Sequence, residues 1–99
     1  MLHTVNISPF EKNGLDSCLR MAKAGGAVLF FEDGVIGALA GTAVADKIAA
    51  RSDLKFYALG EDLAARGLGD KALVDGVEVV DYAGFVDLVA EHEASTAWL

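Results

Sequence analysis

The sequence holds one cysteine, one proline and one tryptophan in 99 residues. A lone cysteine, Cys18, excludes an internal disulfide and every cysteine-rich zinc motif. It also fits a reducing compartment, so a cytoplasmic protein is expected. Histidine is nearly as scarce. His3 and His92 stand near opposite ends of the chain, with no metal-binding spacing between them. No metal site and no cofactor are expected. Basic charge is low as well: 8 Lys and Arg face 15 Asp and Glu, a formal net charge of −7. With a pI near 4.5, the chain lacks the basic face that a phosphate backbone requires, and direct nucleic-acid binding is not expected. No apolar run approaches the roughly 18 residues of a membrane span. The amino terminus shows no basic region followed by an apolar stretch, so no signal peptide is expected. Gly34, Gly37 and Gly41 miss the dinucleotide fingerprint, and no phosphate-binding loop motif occurs. Ser8 and Ser17 have neither a nearby histidine nor a nucleophile-elbow context, which argues against a hydrolase triad.

What is present is apolar. Hydrophobic residues make up 54% of the chain, and the mean hydropathy is +0.39. That composition excludes a disordered tail. A chain this long is expected to form one domain over residues 1–99 and to bury about two thirds of its unfolded surface. It leaves little surplus for a deep enzyme cleft. It also carries more apolar surface than one small domain hides, so association with other chains is expected.

Short apolar runs alternate with helical stretches, which predicts an α/β fold: a small three-layer α/β/α domain with a mostly parallel four-stranded sheet. The first strand is expected over Leu2–Ile7. Ser8-Pro9-Phe10-Glu11 then has the form of a capping box with proline at the first helical position. Asn13-Gly14 interrupts or restarts that helix. Leu15, Cys18, Leu19 and Ala22 share one helical face, and Ala24-Gly25-Gly26 is expected to end it through a left-handed glycine. Ala27-Val28-Leu29-Phe30-Phe31 is continuously apolar, as a central strand covered on both faces should be. Val35 to Ala50 predicts one or two helices broken at Gly41-Thr42. A strand over Lys55–Leu59, a short helix over Leu63–Arg66 stopped by Gly67, and a loop over Leu68–Gly76 follow. Val77–Val80 is the fourth strand, and its Glu78 points to an edge or a half-exposed face. The last helix runs from about Ala83 to Glu91, opened by Asp81-Tyr82, and the tail ends Ala97-Trp98-Leu99.

Sites in open parallel sheets gather beyond the carboxyl ends of the strands. Those ends carry Glu32 and Asp33, Glu61 and Asp62, and Asp81. They form either an acidic rim for a cation or amine, in a small-ligand module, or a set of helix caps; the capping role is the more ordinary. Asp62 and Arg66 are spaced for an ion pair on one helix. His3 lies in a strand, where a satisfied, part-buried histidine is commoner than a catalytic one. Cys18 is the one side chain with evident nucleophilic capacity. As a thiolate it would carry a persulfide, making the chain an auxiliary sulfurtransferase. As an apolar-face residue between Leu15 and Leu19 it would be structural. Exposure decides between the two.

Several segments form a set: Met1-Leu2-His3-Thr4-Val5-Asn6 with Ser8-Pro9-Phe10 at the start, and Phe31-Glu32-Asp33-Gly34-Val35 after the second strand. Tyr57-Ala58-Leu59 and Glu61-Asp62-Leu63-Ala64-Ala65-Arg66-Gly67-Leu68 follow at the centre. Asp81-Tyr82, Phe85-Val86-Asp87-Leu88 and Ala97-Trp98 complete it. In order and spacing these segments resemble the opening, the turn after the second strand, the central signature and the end of the DsrH/TusB family. The resemblance implies a DsrEFH-like fold and a small subunit of a sulfur-relay complex. Its partners would be paralogous E/D-type and F/C-type subunits in a heterohexamer, and a downstream sulfur-carrier protein. The complex would serve either 2-thiolation of the tRNA wobble uridine or dissimilatory sulfur oxidation. In such complexes the sulfur-bearing cysteine sits at the end of the third strand of the E/D-type subunit. The matching stretch here is Ala58-Leu59-Gly60, which has no thiol. Cys18, within Asp16-Ser17-Cys18-Leu19, resembles a first-helix cysteine of the DsrH branch and is the candidate persulfide carrier of this chain. The implied role is mainly structural, with Trp98 either anchoring a partner or packing on its own domain.

Overall fold

The computed structural model describes residues 1–98. Five strands form one sheet: β1 (Leu2–Val5), β2 (Ala27–Phe30), β3 (Lys55–Leu59), β4 (Val77–Val80) and β5 (Ser95–Trp98). They are joined by α1 (Gly14–Met21), a 3-10 helix over Glu32–Ala38, α2 (Ala45–Ala49), α3 (Gly60–Ala65) and α4 (Tyr82–Glu91). The strand order is β4-β3-β2-β1-β5, and every neighbouring pair is parallel.

That order explains the layers. From β1 to β4 each crossover steps the same way across the sheet. Right-handed crossovers taken in one direction all land on one face. The crossover from β4 back to β5 runs the other way, so α4 lands on the opposite face. The two apolar clusters follow this division. On the first face, Val5, Val28, Phe30, Phe56 and Ala58 pack against Leu15, Cys18 and Leu19 of α1, Val35 and Ala38 of the 3-10 helix, Ile48 of α2 and Leu63 of α3. Phe30 and Phe56 stack with ring centroids 6.1 Å apart. On the second face, Leu2, Ala27, Leu29, Tyr57 and Val80 pack with Phe85 and Leu88 of α4.

The fold class follows the sequence, with five strands where four are expected. Ser95-Thr96-Ala97-Trp98 has one large apolar residue and sits on an edge, paired only with β1. Nothing in its composition separates it from a tail. All four residues of β2 are buried, as its unbroken apolar run requires, and β2 is the middle strand. β4, with Glu78 exposed, is the other edge. β1 ends at Val5 and β2 at Phe30, short of the expected Ile7 and Phe31.

The Ser8 capping box does not open a helix. Ser8 Oγ accepts the Phe10 N–H at 3.2 Å, and the Ser8 carbonyl accepts from Glu11 and Lys12. The result is a single turn, because Asn13-Gly14 follows too soon for a second one, and α1 starts at Gly14. Its end also differs from expectation. Ala22 is extended, and the left-handed glycine, Gly25 at φ +86°, belongs to the turn into β2. The last carbonyls of α1 are met instead by Arg51, whose guanidinium donates to Leu19 O and, at 2.8 Å, to Ala22 O. Asp53 holds that guanidinium through two 2.9 Å bonds. The Val35–Ala50 stretch becomes the end of the 3-10 helix plus α2, and it breaks at Gly41 (φ +80°) as expected.

Candidate functional site

The carboxyl ends of the strands bring the predicted acids together, and the helix-capping role accounts for most of them. Asp81 Oδ1 accepts the Gly84 N–H at 2.8 Å and caps α4. Glu61 Oε2 accepts the Tyr82 N–H at 3.2 Å, so α3 also holds the start of α4. Asp62 Oδ2 takes the Glu32 N–H at 2.6 Å. Glu32 has φ +49°, unusual for a residue with a side chain, and that bond fixes the turn. Arg66 donates to Asp33 at 2.9 Å and stands 3.7 Å from Asp62, the expected ion pair one turn away. Four of the five acids are thus occupied by N–H groups or by Arg66. Between α3, α4 and β4 lies a shallow cleft lined by Gly60, Glu61, Ala64, Val79, Val80, Asp81 and Gly84. Among the described residues its lining holds no thiol, hydroxyl, imidazole or amine side chain.

The end of β3 is closed as well as thiol-free. Ala58 and Leu59 are buried. A side chain on Gly60 would meet Val79 Cγ1 at 3.0 Å.

Cys18 lies in the middle of α1, facing the sheet, with an exposure of 0%. Burial pushes its thiol up to about 11, and the nearby Arg51 guanidinium only partly offsets this. At neutral pH about one such thiol in ten thousand is ionised. A thiolate is the nucleophile, so the folded chain holds this sulfur in its unreactive form. Alkylation of Cys18 by iodoacetamide at pH 7 is expected to be at least about 100-fold slower in the folded protein than in urea, since ionisation alone supplies that factor. Equal rates would mean that α1 opens readily.

His3 is 5% exposed and joined to the other end of the chain. The Trp98 indole N–H donates to His3 Nδ1 at 3.0 Å, with ring centroids 6.1 Å apart. Burial, and then the charge at the amino terminus, lower its pKa below 6.5. Both aromatic residues therefore have structural partners within the chain, and Trp98 packs against its own core. This pair was not legible in the sequence. Its members are 95 positions apart, and β5 had no signal. Among the described residues no group of three or more His, Cys, Asp or Glu side chains gathers around a point. No helix there is long and apolar enough to cross a membrane.

Known proteins match this chain along its length. The ychN protein of Escherichia coli superposes with a TM-score of 0.83 over 97% of both chains, at 15% identity, which shows the shared fold. The protein TusB of Pectobacterium parmentieri is 39% identical over 98 residues, 99% of this chain and 100% of that one. The protein TusB of Escherichia coli (strain K12 / DH10B) is 36% identical over the same extent. The model of the DsrH-like proteins matches residues 7–95. A match over that span, with relatives more than one third identical from end to end, makes this chain a member of the DsrH family.

Proposed function

We propose that this chain is the DsrH/TusB-type subunit of a cytoplasmic sulfur-relay complex, and that it supplies docking surface while the travelling sulfur rides on another subunit. The observation that carries this reading is the state of its single cysteine. A persulfide sulfur moves when an acceptor thiolate attacks it and the donor leaves as a thiolate. Cys18 is buried and held as a thiol, and the end of β3 has no thiol at all. The partners under this reading are the E/D-type and F/C-type paralogues, assembled as a heterohexamer, and a separate sulfur-carrier protein. The end product is 2-thiolated wobble uridine in tRNA or the product of dissimilatory sulfur oxidation.

The exposed apolar surface supports a protein partner. Tyr82, Val86 and Val89 form one stripe on the outer side of α4. Val79 on the β4 edge is 52% exposed. The α4 stripe crowns the thinner of the two helical layers, where one helix covers the sheet, while Val79 lies on the other face, beside Ala58 and Val77.

Two measurements test the reading. Co-expressed with E/D-type and F/C-type subunits from the same genome, the chain is expected to elute in one stable complex. Elution alone would end the subunit reading. Incubated with a persulfide donor and weighed intact, the native chain is expected to gain no thiol-reversible sulfur. A sulfur atom on the parent chain, absent from Cys18→Ser, would make it an auxiliary sulfurtransferase instead. Val86→Asp sharpens the first measurement. Val86 is 66% exposed, so folding is expected to survive. Loss of an anchor of about 2 kcal/mol weakens the complex about 30-fold.

A further inference from the structure

A groove of about 520 Å³ opens at the start of the strands, away from the acidic rim, between the end of α1 and the β1–β5 edge. Its size falls within the range of small-molecule sites. Met1, Met21 and Trp98 give it apolar walls, and His3 and Lys23 also line it. Met1 and Met21 are 55% and 63% exposed. Flexible thioethers at that exposure adapt to the shape of what they touch. Thr96 orients one of them, since its hydroxyl lies 3.3 Å from Met1 Sδ.

The polar features of the groove have a definite sense. An indole N–H can only donate, so His3 Nδ1 must accept from Trp98, and the imidazole proton is on Nε2. That N–H has no partner among the described residues. The lowered pKa keeps the ring neutral near pH 7, so the donor persists there. His3 lines the groove, so this donor is available to an incoming acceptor. Lys23 is the one charged side chain among the described residues lining the groove, in a chain that is otherwise strongly acidic.

We propose that this groove binds a small amphiphilic anion: an apolar chain or ring carrying one carboxylate or an equivalent acceptor. The acceptor takes the His3 Nε2–H, Lys23 supplies the opposite charge, and the apolar body lies against Met1, Met21 and the Trp98 ring. The proposal stands apart from the sulfur-relay reading and survives or fails without it.

Trp98 is the one tryptophan of the chain, so its fluorescence reports on the groove directly. Octanoate is expected to change that emission saturably, with a midpoint below millimolar concentration. Octylammonium, with the same chain and the opposite charge, is expected to bind at least tenfold more weakly, and acetate not at all. Lys23→Glu changes an exposed side chain and keeps the fold, and it is expected to raise the octanoate midpoint at least tenfold. His3→Phe keeps a ring in place without the donor and is expected to do the same. The proposal is overturned by any of three results. One is an emission that octanoate leaves unchanged. Another is an equal response to octylammonium. The third is a midpoint that neither Lys23→Glu nor His3→Phe moves. Self-association that shuts the groove to octanoate would assign it to a second copy of the chain and would also overturn the proposal.

Discussion

Phe30→Asp is expected to leave the chain unfolded at room temperature, while Phe10→Asp melts within about 3 °C of the parent. The two substitutions are chemically identical and differ only in place. Phe30 is in the middle strand, fully buried, stacked on Phe56 and packed on the first face of the sheet. Truncating a buried phenylalanine removes about 3–5 kcal/mol. An unpaired carboxylate at the same point adds several more, or forces protonation. A 99-residue domain has about 5–15 kcal/mol of stability in total, so the sum reaches or exceeds what is available. Phe10 is 60% exposed on the turn before α1 and loses almost nothing. Far-UV circular dichroism and thermal melts of both variants check the expectation. A Phe30→Asp chain with parental ellipticity and a cooperative melt would mean that the middle strand has been misplaced.

The same contrast shows which parts of the structure could be read from the residues. β2 was legible because burial on both faces forces a continuous apolar run, and the flanking glycines Gly26 and Gly34 keep that run too short for a helix. The edge position of β4 was legible from Glu78. β5 was not, because an edge strand buried on one side has little composition of its own, and Ser95–Trp98 is held by backbone pairing with β1. The Ser8 turn misled for the opposite reason. Its capping pattern is local and genuine, but a helix needs several turns of agreement beyond the cap, and Asn13-Gly14 withholds it.

The candidate site divides in the same way. Asp81 as the cap of α4 was readable, since its partner Gly84 is three residues on. Asp62 and Glu61 were placed on the right rim, yet their partners, the N–H groups of Glu32 and Tyr82, lie 30 and 21 positions away. The environment of Cys18 was illegible for the same physical reason. Spacing put it on the apolar face of α1, and that is where it lies. Spacing could not say that the sheet would cover it completely, or that Arg51 would reach the end of α1 from 32 positions along the chain. Chemistry that depends on burial is decided by contacts distant in sequence.

Gly34→Ala is expected to destabilise the domain by about 3–5 kcal/mol and to weaken assembly with any partner that needs the first face intact. The substitution is the smallest available, so the size of the effect comes from geometry. A methyl group on Gly34 would stand 2.0 Å from Val5 O and 3.2 Å from Asn6 Cα. Both are backbone atoms at the end of β1, and backbone cannot rotate aside as a side chain does. The 3-10 helix would have to lift. Val5 O accepts the Phe31 N–H at 3.1 Å, so lifting stretches that bond and leaves a buried carbonyl unpaired, worth about 1–3 kcal/mol by itself. Val35 and Ala38, both fully buried, would be drawn out of the first cluster with it. This close approach gives the Asp33-Gly34-Val35 turn a physical meaning: residue 34 must have no side chain for the helix to seat on β1. Gly25→Ala is the control. Nothing lies within 4 Å of the added methyl group, and only the positive φ of +86° resists it, so about 1 kcal/mol is expected. Urea unfolding of the parent and both variants checks the ranking. If Gly34→Ala unfolds at the parental midpoint, the 3-10 helix rests on β1 more loosely than these distances require. The order expected from them is parent, then Gly25→Ala, then Gly34→Ala well below.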